Sequence, residues 1–111
     1  MALGKCKLLK VYLNENTTYK GHNVYQTLVM KFKEAGIAGV TVSRGIEGYG
    51  QSRELHTWRI LELSSCMPII IEAIDTEENI KKAIEIAKPV VNDGLMMVTD
   101  VEVIRNGKET K

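Results

Sequence analysis

Cysteine, histidine and net charge are all in short supply in this 111-residue chain, and each shortage closes a class of function. Cys6 and Cys66 stand far apart with no further thiol at metal-ligand spacing. A disulfide framework and a thiolate metal site are excluded on that count, and two reduced, mostly buried thiols are expected. His22 and His56 have no partner at the helical spacing of a metal motif, and no serine or cysteine sits in a recognisable nucleophile motif. No catalytic residue is assigned, and the chain reads as a protein other than an enzyme. Fifteen Lys and Arg against fourteen Asp and Glu leave a formal charge of +1. Bulk nucleic-acid binding needs a surplus of positive charge gathered on one face, so nucleic acid is not an expected partner. No apolar run reaches the roughly 18–20 residues that span a bilayer, and Met1 to Gly4 lack the charged-then-apolar pattern of a signal peptide. A cytoplasmic protein without direct membrane insertion is expected.

The composition that remains, 44% hydrophobic and 26% charged, is that of an ordinary globular domain, and residues 1–111 are expected to form one. Lys5 to Leu13 alternates in the period of two of a strand, with apolar groups on both faces. Val24, Leu28, Phe32 and Ala35 then recur at helical spacing, with Asn23 placed to cap and Gly36 to terminate. Gly39 to Ile46 returns to alternation. The pattern repeats with a strand from Met67 to Ile74, a helix capped by Thr76 and striped by Ile80, Ala83, Ile84 and Ala87, and a strand from Leu95 to Ile104. Pro89 ends or kinks the second helix.

The order βαββαβ with right-handed crossovers gives an α+β, ferredoxin-like sandwich: an antiparallel four-stranded sheet with both helices on one face. The other face is left bare. Some of Leu8, Tyr12, Met96, Val98 and Ile104 are expected there beside Lys10, Glu72, Asp100 and Glu102. A short chain buries only about two-thirds of its surface, and each large apolar side chain buried is worth roughly 1.5–3 kcal/mol. Such a face calls for self-association in a closed ring. Residues 47–66 show no periodicity of their own and read as a functional loop, its features Arg53, His56, Trp58 and Arg59, with a β-hairpin extension as the alternative.

The densest cluster of special residues runs from Thr41 to Gly50, where Gly45, Gly48 and Gly50 fall within six positions next to Arg44. Glycines let a ligand approach the backbone and let consecutive amides gather an anion, and an arginine adds a forked phosphate contact. A bulge followed by a tight turn explains the same residues without a ligand. Asn92-Asp93-Gly94 before the last strand reads locally as a turn. In a ring of ferredoxin-like subunits, however, the exit of the second strand and the start of the fourth can meet across a boundary, and both glycine segments would then line one cleft. A metal site drawn from His22, His56, Glu72, Asp100 and Glu102 is the rival; those carboxylates more naturally partner Lys10 and other cations across the sheet.

From Gly36 onward the chain resembles the nitrogen-regulatory PII signal-transduction proteins, in Gly36 to Val42, Gly48-Tyr49-Gly50, Asp93-Gly94 and Asp100-Val101-Glu102. It is more similar still to the uncharacterised PII-like family, in Lys7-Leu8 with Tyr12, Arg44-Gly45, Pro68 to Glu72 with Asp75, and Gly94-Leu95. The resemblance implies a homotrimer with an adenine nucleotide between neighbouring subunits, no required metal, and a long loop reporting occupancy to a regulated protein, a membrane transporter being one class of partner. It implies that Gly39, Val40 and Thr41 border the adenine, that Gly48, Gly50 and Gln51 form the phosphate side, and that Asp93 and Gly94 face them. Two departures stand out. Leu95 replaces the lysine that follows the second glycine in PII proteins, and residues 51–65 contain no modifiable tyrosine. With Arg44 and Arg105 as the remaining cations, AMP or ADP suits the site better than ATP. The divalent-cation-tolerance proteins, trimeric metal binders of the same architecture, are the alternative resemblance.

Overall fold

Alternating apolar residues become the strands of one sheet in the computed structural model, which describes residues 4–48, 56–57 and 67–107. The elements are β1 (Gly4–Asn14), β2 (Thr18–Tyr19), β3 (His22–Asn23), α1 (Val24–Glu34), β4 (Gly39–Arg44), β5 (Glu47–Gly48), β6 (His56–Thr57), β7 (Pro68–Asp75), α2 (Glu77–Ala87) and β8 (Leu95–Val103). Four of them pair antiparallel in the order β4-β7-β1-β8. This is the expected ferredoxin-like arrangement.

Each helix begins and ends where side-chain chemistry requires. Asn23 accepts from the N–H groups of Tyr25 and Gln26 at 3.0 and 3.3 Å, satisfying donors that α1 cannot satisfy itself. At the other end Gly36 takes φ 83°, Ile37 N–H donates to Phe32 O at 3.0 Å, and Gly36 N–H donates to Lys33 O at 3.1 Å. These paired bonds close the helix, and they carry Ile37 back onto Phe32 in the core. Thr76 Oγ1 accepts from Asn79 N–H at 3.2 Å to start α2, which ends at Ala87 two residues before Pro89.

Val24, Leu28 and Phe32 of α1 and Ile80, Ala83 and Ala87 of α2 pack on Leu9, Val11, Leu13, Ile69, Ile71 and Ala73 of the central strands. Cys6 is a buried thiol; Cys66 lies outside the described residues. A small hairpin, β2 with β3, was not legible in the sequence. It turns at Lys20-Gly21, both at positive φ, as a two-residue hairpin connection demands.

Register corrects one expectation. Directly paired residues share a face. Leu8 faces Ile74 and Thr99, Lys10 faces Glu72 and Met97, and Tyr12 faces Ile70 and Leu95, so these occupy the side away from the helices. Met96, Val98, Asp100 and Glu102 alternate to the helix side, and Met96 packs against the core. Leu95-Met96-Met97-Val98 is apolar at every position, so alternation alone does not say which side faces out. The expected pairing of carboxylates with lysines holds: Lys10 Nζ lies 3.7 Å from Glu72, and Lys7 Nζ lies 2.5 Å from Asp100. The Lys7–Asp100 hydrogen bond raises the lysine's pKa and lowers the aspartate's.

Candidate functional site

The register also sets where the glycine segments stand. Arg44 pairs with Ile69, and Ile69 with Leu13. One step beyond the Tyr12–Leu95 pair, the same ladder carries Leu13 to Gly94. Arg44 and Gly94 therefore mark one row across the sheet, on its two opposite edges. Gly45 and Asp93 flank the neighbouring row, and Gly45 N–H is tied back to Pro68 O at 2.7 Å. Three strand spacings separate the edges, about 14 Å. Within one subunit the two segments share an end of the sheet without sharing a cleft.

Gly94 is held tightly. A Cβ there would stand 2.5 Å from Tyr12 O and 3.3 Å from Val91 Cγ1, so no larger residue lets the start of β8 approach β1 this closely. Gly39, Val40 and Thr41 lie along edge strand β4. Val40 is half-buried against the core, whereas Thr41 is exposed on the open face. Gly48 and His56 belong to β5 and β6, whose antiparallel pairing matches the hairpin alternative for this segment. Gly50, Gln51, Arg53, Trp58 and Arg59 lie outside the described residues. Arg105 follows the far end of β8, where Val103 pairs with Gly4, so one chain does not bring it to the Arg44 row.

Arg44 is not a solitary cation. Its Nη2 donates to Glu15 Oε2, and the arginine side chain as a whole is 59% exposed. Glu15, in the turn after β1, is only 8% exposed and is pinned through its backbone: its N–H donates to Met67 O at 2.8 Å and its carbonyl accepts from Asn23 Nδ2 at 3.1 Å. Glu15 Oε1 is buried with no hydrogen-bond partner among the described residues. Sequence reasoning missed this residue. An acidic residue between Asn14 and Asn16 reads as a solvated turn, and nothing local reveals that its carboxylate turns inward.

Asp75 is a second inward carboxylate. Burial pushes its carboxyl up, but the N–H groups of Thr76, at 2.7 Å, and Ala38, at 2.9 Å, together with Asn79, outweigh burial and hold it below its ordinary value. It joins the segment leading into β4 to the start of α2. Among the described residues no three His, Cys, Asp or Glu side chains gather as a metal site, and His22 is exposed in the β2–β3 hairpin. Among the same residues no helix is long and apolar enough to cross a membrane.

Comparison with known proteins places this geometry among relatives. The profile of the DUF190 family, described as an uncharacterised ACR, matches residues 6–103. A UPF0166 protein of Aquifex aeolicus is 39% identical over 94% of this chain and 98% of its own length. A UPF0166 protein of Methanocaldococcus jannaschii is 38% identical over 91% and 94%. In fold, the chain is similar to CPII, a nitrogen regulatory PII-like protein from Thiomonas intermedia K12 bound to ADP, AMP and bicarbonate. The TM-score is 0.72 at 21% identity, covering 94% of this chain and 92% of the other. The fold is also similar to the divalent ion tolerance protein CutA1 from Ehrlichia chaffeensis, with TM-score 0.55 at 13% identity over 96% and 88%.

Proposed function

Because this chain belongs to the DUF190 family and has the fold of PII-like proteins, we propose that it is a homotrimeric, non-enzymatic regulator that binds AMP or ADP between subunits. On this reading, occupancy is reported to a partner protein through residues 47–66. The observation that carries it is the placement of Arg44-Gly45 and Asp93-Gly94 at the same end of the sheet on opposite edges. In a head-to-tail ring the β4 edge of one copy stands beside the β8 edge of the next, and two half-sites about 14 Å apart in one chain become one cleft.

The open sheet face supports the ring. Leu8, Tyr12, Ile70, Ile74, Leu95, Met97, Val101 and Val103 share it with the Lys10–Glu72 pair, and Leu95 and Met97 are about half exposed. A nucleotide fits a site built chiefly from backbone amides, which take an anion without a large charge surplus. Leu95 stands where a polyphosphate-binding lysine would have added charge, which favours the shorter nucleotides. No resident metal is called for.

A thermal-shift panel of AMP, ADP, ATP and cyclic nucleotides tests the reading. Ligand at 100 times its dissociation constant stabilises by about 2.7 kcal/mol, on the order of 10 °C for a domain of this size. The largest rise is expected with AMP or ADP. Absence of any shift across the panel would sink the nucleotide reading.

A further inference from the structure

Among the described residues of the glycine end, positive charge is scarcer than the sequence suggests. Arg44 is the cation on its row, and its guanidinium already donates to Glu15. Asp93 adds a second negative charge beside Gly94 at the opposite edge. Of two other described cations at this end, Lys88 is ion-paired, its Nζ 3.4 Å from Glu85, while Lys20 keeps its charge with its Nζ 5.4 Å from the Tyr19 ring centroid. Glu15 cannot readily swing away from Arg44. Its N–H is tied to Met67 and its carbonyl to Asn23, and its carboxylate is buried. Its second oxygen has no donor among the described residues, so releasing Arg44 would leave a buried carboxylate with no described partner.

Resting on the nucleotide reading above, we propose that Glu15 is the specificity-determining residue of this site, cancelling the charge of Arg44 so that the cleft discriminates among nucleotides by phosphate number. An incoming phosphate meets the Arg44–Glu15 pair as a short dipole instead of a full positive charge. The exposed N–H groups of Arg44 still offer hydrogen bonds, which serve any phosphate equally. The missing net charge weighs most against the most highly charged ligand. ATP carries about two more negative charges than AMP, and each feels the field of the pair. Glu15 thus acts through Arg44 and need not touch the ligand.

The test compares dissociation constants for AMP and ATP by calorimetry in Mg²⁺-free buffer, for the wild type and two variants. Glu15→Gln keeps the shape and the acceptor for Arg44 but removes the charge. It is expected to improve ATP relative to AMP by about tenfold, the effect of one uncovered charge near the extra phosphates. The double variant E15M/R44M removes the pair together, a change that buried ion pairs commonly tolerate, and is expected to keep the wild-type ATP-to-AMP ratio within about twofold. Equal loss or gain for both nucleotides in Glu15→Gln assigns Glu15 a merely structural role and overturns the proposal. So does a fall of ATP relative to AMP in the double variant, which would mean that Arg44 was acting as an uncancelled charge. If the wild type binds neither nucleotide, the parent reading fails and this one with it; binding with an unmoved ratio in Glu15→Gln overturns this one alone.

Discussion

Asp75 and Glu15 are the two buried carboxylates of the described chain, and they reach opposite solutions. Asp75 receives two backbone N–H groups and Asn79, an arrangement that satisfies the charge with fixed dipoles. Glu15 takes one guanidinium and leaves an oxygen bare. Asp75 has a consequence in acid. Its carboxyl is held below its unfolded value, so its contribution is complete above about pH 4 and drains away as pH falls through that value toward the folded one. Asp75→Asn keeps the shape and removes the charge. Urea denaturation should show the variant less stable at pH 7 by about 1–3 kcal/mol, with the gap narrowing as pH falls below about 4. A gap that stays constant with pH would show that the charge of Asp75 contributes nothing.

Among the elements, α1 matters most to the site because its first residue cap also holds the turn that carries Glu15. Asn23 Oδ1 caps the helix, and Asn23 Nδ2 donates to the Glu15 carbonyl. Asn23→Ala removes both. The expected loss is about 1–2 kcal/mol, read from the midpoint of chemical denaturation at unchanged slope. A loss under about 0.3 kcal/mol would mean that the cap is replaced by water. The caps at Asn23, Gly36 and Thr76 and the stop at Pro89 were all readable in advance, since each is a local match between a side chain and an unsatisfied backbone group. The Lys20-Gly21 hairpin was not. Its strands are two residues long and give no period to detect.

For the whole molecule the decisive feature is the sheet face that the helices leave open. Met97 sits at its middle, directly opposite Lys10 and 45% exposed. On the proposed trimer this position is covered by neighbouring copies. Met97→Lys would place two ammonium groups side by side in that interface, and like charges directly opposite on a sheet repel. Light scattering is expected to give the mass of a trimer for the wild type and of a monomer for the variant, with the helical circular dichroism of both alike. A monomeric wild type, or a trimeric variant, would show that the subunits do not meet through this face.

The order of strands and helices, the capping residues and the two glycine segments were determined by the sequence alone, because period, cap and turn chemistry act over a few neighbouring residues. So was the pairing of Lys10 with Glu72 as a kind of contact. Three things were decided only by the tertiary structure. The faces of β8 depend on which residue of β1 each position meets, and an all-apolar stretch from Leu95 to Val98 is silent about that. That Arg44 and Gly94 share a row follows from the summed registers of three strand pairs, which no local pattern encodes. The Glu15–Arg44 pair joins residues far apart in the chain, and it turns an arginine that reads as a free phosphate ligand into half of an ion pair.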